Sequence, residues 1–555
     1  MPRRRCPTSA GRVAPPQDGS AVSPLATLSA TAAGDALLVR IALENPGAGP
    51  RTDVRVRAAL PAGTRVTDTR QHEIGRGAVL LDGHGLTWSD ITLGRGERAA
   101  PLTVLLQPAP GVDGADIFRH AALHPELTVG GQPVPVPTLR VNGLWGADGL
   151  RRTALPSLLT VFTHERPGTG TVSVRVAVRA GSRDEDDATR GGSHWLEHAH
   201  LLGTPTRPDN QAIFDVTGAV GGSTNATTSF EWTDYFNLVP AEHLALAVDV
   251  LADQLLNSTF PREAFDRERR VVAEEIRRAI DAPAAVAIRE LFQTVFQASP
   301  LRRDVLGSVE SVAEIPIATM LAYREQRYVT GNMAVAVAGN LRHDEAVDLV
   351  ARAFAPLRAA PRTDRPHTPE PAQTDPRRRE SGRGGAISEI RIGWPAPGDD
   401  DDHAAPALAV LQDILGGVGR RLAGEVVDRL GLASAAGAVY ADFSDAGAFL
   451  LSVGTSPAGE RRGIDAAFVQ MRRVRDGAIS DDDVTRAINA RIARRALAEE
   501  SNAAQTRRAN QEVAGHLESF DEYLARLRPV RATDVIEVAR AWLNPDTASL
   551  VVARA

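Results

Sequence analysis

Residues 191–204 read GGSHWLEHAHLLGT and place three histidines and one glutamate within seven positions. If this stretch is helical, His194 and His198 are four residues apart and lie one above the other on a single face. Two neutral imidazoles so placed can reach one zinc ion, and Glu197 projects beside them, where a carboxylate could accept a proton from water. His200 lies off this face, so we expect it to be structural. The alternative is a solvated helix face without metal.

The composition is that of a soluble protein with several domains. The chain has 555 residues, of which 43% are hydrophobic and 24% charged, and its net charge is −6. This length is too great for a single core, so about three domains are expected. The charge gives no electrostatic reason to expect nucleic acid or an anionic membrane as a partner. The single cysteine, Cys6, can form neither an internal disulfide nor a thiolate metal site.

The N-terminal residues indicate no export or membrane signal. Residues 1–20, MPRRRCPTSAGRVAPPQDGS, begin with positive charge, but the apolar core of an export signal does not follow. A run of about 18 apolar residues, as a membrane-spanning helix needs, is absent from the sequence. We therefore expect a cytoplasmic protein that does not contact a membrane.

Changes in composition and in hydrophobic pattern along the chain predict five segments. Short alternating stretches broken by Gly and Pro indicate an immunoglobulin-like β-sandwich near the N-terminus. Strands alternating with long amphipathic helices then indicate an α+β fold in two segments, which could be a diverged duplication. The predicted segments are a disordered lead-in (1–30), the sandwich (31–145), a first α+β lobe (147–357), a Pro- and Arg-rich linker (358–384) and a second α+β lobe (385–555).

Three stretches in succession resemble the pitrilysin/insulinase family of zinc peptidases, which includes the mitochondrial processing peptidases. They are GGSHWLEHAHLLGT, GGSTNATTSFEWTDYFNLVPAE and FDRERRVVAEEI, and the resemblance covers about residues 147–555. The order His-x-x-Glu-His is itself an inverted zinc-peptidase motif. The resemblance implies two homologous pitrilysin-like lobes, the first of which binds one zinc ion per chain while the second binds none.

In that family the third zinc ligand is a glutamate on a later helix, and the candidates here are Glu274 and Glu275. The family pattern has another glutamate seven positions before the ligand, and Glu268 is seven before Glu275. Seven residues are close to two helical turns, so these two side chains share a face. We therefore predict Glu275 as the ligand and Glu268 as a residue that orients a histidine or the ligand itself. Glu274 is expected to face solvent.

The resemblance also implies a mechanism and a substrate-binding strand. His194, His198 and Glu275 would leave one position of a tetrahedral zinc open, and Glu197 would act as the general base of peptide hydrolysis. The stretch STNATTSFEWTDYF resembles the family's edge strand, on which substrate lies as an added β-strand. Within it, Asn225 and Ala226 match the pair that contacts the bound peptide. An ordinary strand with a polar face is the alternative.

The sequence departs from the family in the second lobe. Family members usually carry an Arg and, seven residues later, a Tyr that hold the substrate and the oxyanion. The corresponding segment RLAGEVVDRLGLAS has Val427 and Ser434 at those places, and neither can replace the missing side chain. Arg429 and Tyr440 lie nearby but lack the expected spacing. Losing a donor to the oxyanion typically lowers the rate on the order of a hundredfold or more.

These observations predict a zinc metalloendopeptidase subunit that hydrolyses short unfolded peptides, such as leader or signal peptides. A related subunit bearing the Arg and Tyr would complete it as a heterodimer, as in the smaller bacterial and mitochondrial members of the family. Two alternatives remain open. One is a non-catalytic peptide-binding or assembly subunit of the same fold, and the other is a self-sufficient homodimeric peptidase.

Overall fold

The computed structural model describes most of the chain from Leu25 onward. The described residues are 25–33, 36–45, 49–59, 64–71, 78–81, 85–94, 97–108, 122–123, 125–134, 139–140, 150–155 and 157–555 apart from residues 383 and 418. The chain divides into two compact units. One holds residues 1–148 and 152–154, and the other holds residues 149–151 and 155–555.

In the first unit, the described regular structure is β-strand. The strands are β1 (Leu25–Ala33), β2 (Ala36–Glu44), β3 (Arg51–Ala59), β4 (Thr64–Gln71), β5 (Ala78–Leu81), β6 (Gly85–Leu93), β7 (Arg98–Pro108), β8 (Ala122–Leu123), β9 (Pro125–Val129), β10 (Gln132–Val134), β11 (Leu139–Arg140) and β12 (Leu150–Ala154), the last of which runs into the second unit.

Most of these strands belong to two antiparallel sheets. The strand orders are β1-β2-β7-β4 and β10-β9-β3-β6-β5. Alternate side chains are buried in both sheets, for example Val54 and Val56 on β3 and Leu102, Val104 and Leu106 on β7. An immunoglobulin-like sandwich is built from two antiparallel sheets with alternately buried side chains, so these strands agree with that prediction.

The predicted disordered lead-in of residues 1–30 extends too far, because residues 25–30 lie in β1. This strand reads LATLSATAA, and its small side chains give little contrast between the two faces. The alternation that would predict a strand is therefore hard to see in the sequence. Residues 1–24 of the predicted lead-in lie outside the described residues.

The second unit contains both α+β lobes. The first lobe has strands β13 (Thr160–Glu165), β14 (Thr171–Val178), β15 (Ser223–Thr228), β16 (Thr233–Pro240) and β17 (Met333–Gly339). Its helices are α1 (Gly192–Ala199), α2 (Asn210–Gly218), α3 (Leu244–Leu256), α4 (Arg262–Asp281), α5 (Pro283–Val295), α6 (Val309–Glu314), α7 (Ile317–Arg327) and α8 (His343–Ala353).

The second lobe has strands β18 (Arg377–Ser381), β19 (Ser388–Ala396), β20 (Ala433–Asp442), β21 (Gly447–Thr455) and β22 (Ser549–Arg554). Its helices are α9 (Ala404–Leu415), α10 (Arg421–Ala423), which continues as a π-helical segment (Gly424–Arg429), α11 (Glu460–Arg475), α12 (Asp481–Glu499), α13 (Asn502–Gln505), α14 (Arg508–Ala514), α15 (Phe520–Leu527) and α16 (Ala532–Trp542). None of the helices in the described part of the chain is both long and apolar enough to cross a membrane.

The two lobes have the same sheet topology. The order is β15-β16-β14-β17-β13 in the first lobe and β20-β21-β19-β22-β18 in the second. The parallel pair is β13 with β17 in the first lobe and β18 with β22 in the second. The other neighbouring strands of each sheet are antiparallel. The correspondence is strand for strand, which confirms the prediction of two homologous α+β lobes.

Each lobe contributes a helix that packs on the sheet of the other lobe. One face of the first sheet packs on helices of its own lobe, while small residues of the other face, such as Ala334 and Ala336, pack with Ala509 and Val513 of α14. In the same way α5 of the first lobe packs on β19 and β22 of the second. Because each lobe covers a face of the other's sheet, the two cores are buried together.

The predicted linker, residues 358–384, is shorter in the structure. Residues 377–381 form β18, which pairs in parallel with β22. The sequence RRRES does not predict this strand, because an edge strand with charged side chains shows no alternation of apolar and polar residues. The remaining segment is also held to the lobes. The Arg365 guanidinium pairs with Asp184, and Glu370 accepts hydrogen bonds from the backbone N–H groups of residues 297–299.

Candidate metal centre

The helix α1 is fixed at its N-terminal end by a buried carboxyl group. Gly191 precedes the helix with φ +80°, and its α-carbon faces Gly307 so closely that a side chain would clash. Glu185 is 3% exposed and accepts hydrogen bonds from the backbone N–H groups of Gly191 (2.7 Å) and Ser193 (2.8 Å). These N–H groups have no partner within the helix, so the Glu185 carboxyl oxygens satisfy them.

One side of α1 is anchored to the core and to α4. Trp195, Leu196 and Ala199 are buried, and the Trp195 ring lies 3.7 Å from the ring of Phe265 on α4. Phe265, Val272 and Ile276 form the buried face of α4. The position of one helix against the other is therefore set by large apolar contacts, and the polar faces of α1 and α4 are brought together beside them.

These faces bring His194, His198 and Glu275 together. The Glu275 Oε2 atom lies 3.6 Å from His194 Nε2 and 3.5 Å from His198 Nε2. The possible ligand atoms of the three residues all lie within 4.8 Å of one another. A search of the described residues for three or more His, Cys, Asp or Glu side chains that could hold a metal ion finds this group.

The spacing of these atoms fits a tetrahedral zinc ion. Zinc bonds of about 2.0–2.2 Å separate neighbouring tetrahedral ligands by roughly 3.3–3.6 Å, which matches the two distances to Glu275. The chemistry of the two imidazoles also fits. Burial and the neighbouring His198 lower the pKa of His194 to about 3, so its nitrogen lone pair is available for a metal. Two imidazoles and a carboxylate are a common ligand set for catalytic zinc.

Glu268 determines which nitrogen of His198 faces the cluster. Its Oε1 atom lies 2.8 Å from His198 Nδ1. The Nδ1–H group donates to this carboxylate, and the Nε2 lone pair is left directed toward Glu275. Of the two contacts predicted for Glu268, the structure shows the one to a histidine.

Glu197 lies on the same helix beside this cluster and makes a hydrogen bond with the hairpin of β15 and β16. Its Oε2 atom accepts a hydrogen bond of 2.5 Å from the Thr228 hydroxyl at the end of β15. Burial raises the pKa of Glu197 to about 7, although the bond from Thr228 acts in the opposite direction. A carboxyl with a pKa near neutrality can both accept and return a proton.

The other two candidates in the sequence are turned away from the cluster. Glu274 forms an exposed ion pair with Arg277 at 3.1 Å, as expected for a residue facing solvent. His200 is fully buried, and its Nδ1 atom bonds the Gln254 carbonyl at 3.0 Å. Its ring packs among three aromatic side chains of the core. Neither residue belongs to the group formed by His194, His198 and Glu275.

Comparisons with known proteins decide the family. The profile described as Insulinase (Peptidase family M16) matches residues 160–309, and the profile described as Peptidase M16 inactive domain matches residues 315–491. An uncharacterized zinc protease of Streptomyces coelicolor is 31% identical over 419 residues, which cover 73% of this chain and 89% of that protein. The chain belongs to the insulinase family of peptidases.

Two further relatives agree with this assignment. A probable mitochondrial-processing peptidase subunit beta of Arabidopsis thaliana is 31% identical over 362 residues, covering 63% of this chain and 67% of that protein. The crystal structure of a protease from Helicobacter pylori covers 73% of this chain and 99% of its own, with 22% identity and a TM-score of 0.68. At this identity the structural match shows the fold alone, and it supports the two-lobed insulinase architecture.

The strand that the insulinase resemblance assigns to substrate lies at the end of its sheet. β15 pairs with β16 and is the terminal strand of the order given above. The Asn225 side chain is exposed and its Oδ1 atom accepts a hydrogen bond from the N–H of Ala226, which is buried. Because Thr228 of the same strand bonds Glu197, this edge leads directly to the candidate metal centre.

The residues at the insulinase Arg and Tyr positions offer no strong donor. Val427 lies in the π-helical segment, and the Ser434 hydroxyl donates to the Gly454 carbonyl at 3.3 Å. Arg429 is bound to Glu425 on the surface, and the Tyr440 hydroxyl donates to the Pro397 carbonyl at 2.8 Å. The two nearby side chains, Arg429 and Tyr440, therefore have partners in their own lobe.

Two residues that matter at this site were not identified from the sequence. Thr228 lies within the quoted strand, but only its register against Thr233 shows that it is the last paired residue and so close to Glu197. Glu185 lies in the acidic run RDEDD, where nothing distinguishes it from its neighbours. The contact of Thr228 with Glu197 joins residues that are distant in sequence, and the contacts of Glu185 form across a sharp turn. Neither kind of contact can be predicted from the spacing of apolar residues.

Proposed function

We propose that this chain is a zinc endopeptidase subunit in which His194, His198 and Glu275 hold the metal and Glu197 is the general base. The observation that carries the proposal is the convergence of two imidazoles and a carboxylate, with the carboxyl group of Glu197 beside them. His194 is buried and His198 is partly buried, so a cation would give their ring nitrogens a polar partner away from water. The group also corresponds to a ligand set that leaves a coordination position open.

The residues of the chain divide the chemistry among them. When bound, zinc would supply a Lewis acid that polarises the scissile carbonyl and acidifies water. Glu197 accepts a proton from the attacking water molecule and returns it to the leaving amine. Thr228 holds the Glu197 carboxylate in place, and Glu268 keeps His198 in the tautomer that presents Nε2. Peptide hydrolysis is the overall reaction.

The substrates we propose are short unfolded peptides, such as leader or signal peptides. A peptide lying on the free edge of β15 would be held by main-chain hydrogen bonds, which require an extended backbone but read little of the side chains. Asn225 and Ala226 lie on this strand and are the proposed contacts near the scissile bond. The probable mitochondrial-processing peptidase subunit among the relatives is consistent with such substrates.

A partner subunit that carries an Arg and a Tyr is the second part of the proposal. Val427 cannot donate a hydrogen bond and Ser434 is short and bonded to its own sheet, so this chain lacks the expected donors to the oxyanion. A heterodimer would supply them from a related second lobe. A self-sufficient homodimer would have to use other donors.

The test is cleavage of an unstructured fluorogenic peptide library by the zinc-loaded protein, alone and mixed with a candidate Arg- and Tyr-bearing relative. Zinc binding with cleavage only in the mixture is the expected result. Full cleavage by the protein alone would overturn the partner requirement. Absence of bound zinc would overturn the proposal that this chain is a zinc peptidase. It would favour the alternative of a peptide-binding or assembly subunit.

A further inference from the structure

A buried carboxyl group lies beside the strand on which the substrate is proposed to lie. Asp234 of β16 is fully buried and pairs directly with Thr227 of β15. Its Oδ1 atom accepts a hydrogen bond of 2.5 Å from the Thr227 hydroxyl. Neither residue takes part in the chemistry proposed for Glu197 and the metal ligands, so this contact needs another explanation.

The second oxygen of Asp234 connects it to the other lobe. Oδ2 accepts a hydrogen bond of 2.7 Å from the side-chain amide of Asn510, which lies on α14 of the second lobe. The same oxygen forms an ion pair with Arg175 of β14. One carboxylate therefore joins the edge strand of the first lobe to a helix of the second.

The position of this carboxylate is fixed by its surroundings. Arg175 supplies the opposite charge that a buried carboxylate requires. The guanidinium is held in turn, because its Nε donates to the Thr506 hydroxyl at 3.4 Å and its Cζ atom lies 4.2 Å from the centroid of the Phe236 ring. Thr506 belongs to the second lobe and is fully buried. Asp234 is thus a fixed point from which the hydroxyl of Thr227 can be held.

The strand β15 needs such support because it is the terminal strand of its sheet. Its backbone pairs with β16 on one side, and its other side is the edge proposed for the peptide. Successive side chains of a strand point to opposite faces, so Thr227 bonds Asp234 on one face while Thr228 bonds Glu197 on the other. The end of β15 beside the candidate metal centre is therefore held on both faces of the sheet.

Holding this end of the strand favours peptide binding. A terminal strand is paired on one side only, so it has few contacts and opens locally at low cost. A peptide binds only the ordered strand, and its apparent affinity falls in proportion to the fraction of molecules in which the strand is ordered. The hydrogen bond from Thr227 goes to a charged acceptor, which is the stronger kind, and it stabilises the ordered strand.

We propose that Asp234 is a positioning residue, which holds the Thr227 end of β15 in the conformation that accepts a peptide and is itself held by Asn510 of the second lobe. Because Asp234 is buried, it acts on the peptide through Thr227. The inference rests on the proposed function, since it assumes a peptide on β15. It gives the second lobe of this chain a part in peptide binding that does not depend on Val427 or Ser434.

The experiment measures binding of a fluorescent Ala- and Ser-based decapeptide to the full chain carrying Glu197→Gln and loaded with zinc, so that the peptide is not consumed. Replacing Asp234 itself would leave the Arg175 guanidinium buried without its partner and destabilise the core, so Thr227 is changed instead. Thr227→Val keeps the β-branched shape and removes the hydroxyl. We expect the Kd of the decapeptide to rise about tenfold, with zinc content unchanged.

A conservative variant and a control separate positioning from a general effect on the fold. Thr227→Ser restores the hydroxyl and should restore binding. Thr92→Val makes the same chemical change at an exposed strand position of β6, in the other compact unit, and should leave the Kd unchanged. Hydrogen exchange of backbone N–H groups should become faster in residues 223–228 of the Thr227→Val protein and stay the same in β14.

The link to the second lobe is tested with Asn510→Leu, which replaces the amide donor by an apolar group of similar size. It should weaken binding by itself but add nothing to Thr227→Val, because both substitutions act through Asp234. Independent effects of the two would overturn the part assigned to Asn510. An unchanged Kd for Thr227→Val, or equal weakening by Thr227→Ser, would overturn the inference and leave the proposed function standing. Binding of no peptide by the chain with Glu197→Gln alone would overturn the proposed function.

Discussion

Glu268 and Glu275 lie seven residues apart on α4, and both reach His198 from opposite sides of its ring. Glu268 accepts a hydrogen bond from Nδ1 at 2.8 Å, whereas Glu275 lies 3.5 Å from Nε2. The first distance is that of a hydrogen bond, and the second leaves space for an ion. One carboxylate therefore fixes the tautomer of the imidazole, and the other faces the lone pair that this tautomer exposes.

At the same scale, the Glu197→Gln substitution should remove activity without removing the metal. The amide cannot accept the proton from water, while Thr228 can still hold the side chain, so the structure around the ligands is kept. In the mixture with the Arg- and Tyr-bearing relative, we expect cleavage of a fluorogenic peptide to fall at least about a hundredfold. Zinc content should equal that of the unchanged protein.

The matched control is Glu274→Gln, which alters an exposed glutamate on α4 that pairs with Arg277. It should change neither zinc content nor cleavage. Cleavage by the Glu197→Gln protein within a few-fold of the original rate would contradict the role of Glu197 as general base.

The shared helix faces of the proposed ligands could be predicted because helix geometry is local. Spacings of four and seven residues put His194 with His198 and Glu268 with Glu275 on shared faces whatever the remainder of the chain does. The hydroxyl of Thr228 could not be predicted in this way. It lies 31 positions from Glu197 and reaches it only because the β15–β16 hairpin packs beside α1.

At the scale of the element, α1 depends on the carboxyl group of Glu185, which lies outside the helix. Burial raises the pKa of Glu185 to about 8, although the N–H groups of Ser193 and Gly191 act to lower it. The ordinary value is 4.5, so between about pH 4.5 and pH 8 the folded protein retains a proton that the unfolded chain has released. The contribution of this group to stability is present at low pH and is lost as pH rises through this window.

We therefore expect Glu185→Gln to flatten the pH dependence of stability. The free energy of unfolding of the unchanged protein should fall more steeply between pH 5 and pH 8 than that of the variant, with a difference of up to about 1.4 kcal/mol per pH unit. Urea unfolding of the metal-free proteins measures it without a contribution from zinc. Asp187→Asn, at a largely exposed position, is the control. Parallel pH profiles for Glu185→Gln and the unchanged protein would refute this account of the carboxyl.

Elements were predictable from the sequence where one face is apolar and the other polar. The helix α4 is such a case, because its buried residues Phe265, Val272 and Ile276 recur at helical spacing. The strand β18 was not predictable, since RRRES has no apolar residue and the strand is defined only by pairing with β22. Edge strands of this kind depend on a neighbour that is far away in sequence.

At the scale of the whole molecule, the duplication explains why, among the described residues, the candidate metal centre lies in the first lobe. By topology α9 and α12 of the second lobe occupy the places of α1 and α4 in the first. There Asp413 of α9 pairs with Arg491 and Arg494 of α12. An ion pair thus joins the two helices where the first lobe has two imidazoles and a carboxylate, and guanidinium groups cannot bind a cation.

The two lobes are joined by a buried charged network centred on Glu231. Its carboxylate accepts hydrogen bonds from Arg183 (2.5 Å), from Arg365 (3.2 Å) and from the hydroxyl and N–H of Ser444 in the second lobe. Glu231 is 2% exposed, so these charges are held away from water. Sequence patterns could not reveal this network, because its members come from four separate segments.

Removing this carboxylate should destabilise the unit that contains both lobes. Glu231→Ala would leave the guanidinium groups of Arg183 and Arg365 buried beside fewer acidic partners. We expect a loss of about 3 kcal/mol in the free energy of unfolding, as is typical when one member of a buried ion pair is deleted. Denaturant unfolding would measure it, with the exposed Glu242→Ala as the control. A loss no greater than that of the control would show that the network does not hold the lobes together.

The central claim is that one zinc ion binds to His194, His198 and Glu275, and metal analysis of purified protein tests it most directly. The unchanged protein and Glu274→Gln should each contain one zinc per chain, and Glu275→Gln should contain little or none while its circular dichroism spectrum remains the same. Zinc missing from the unchanged protein, or equal losses in the two glutamine variants, would contradict the site described here.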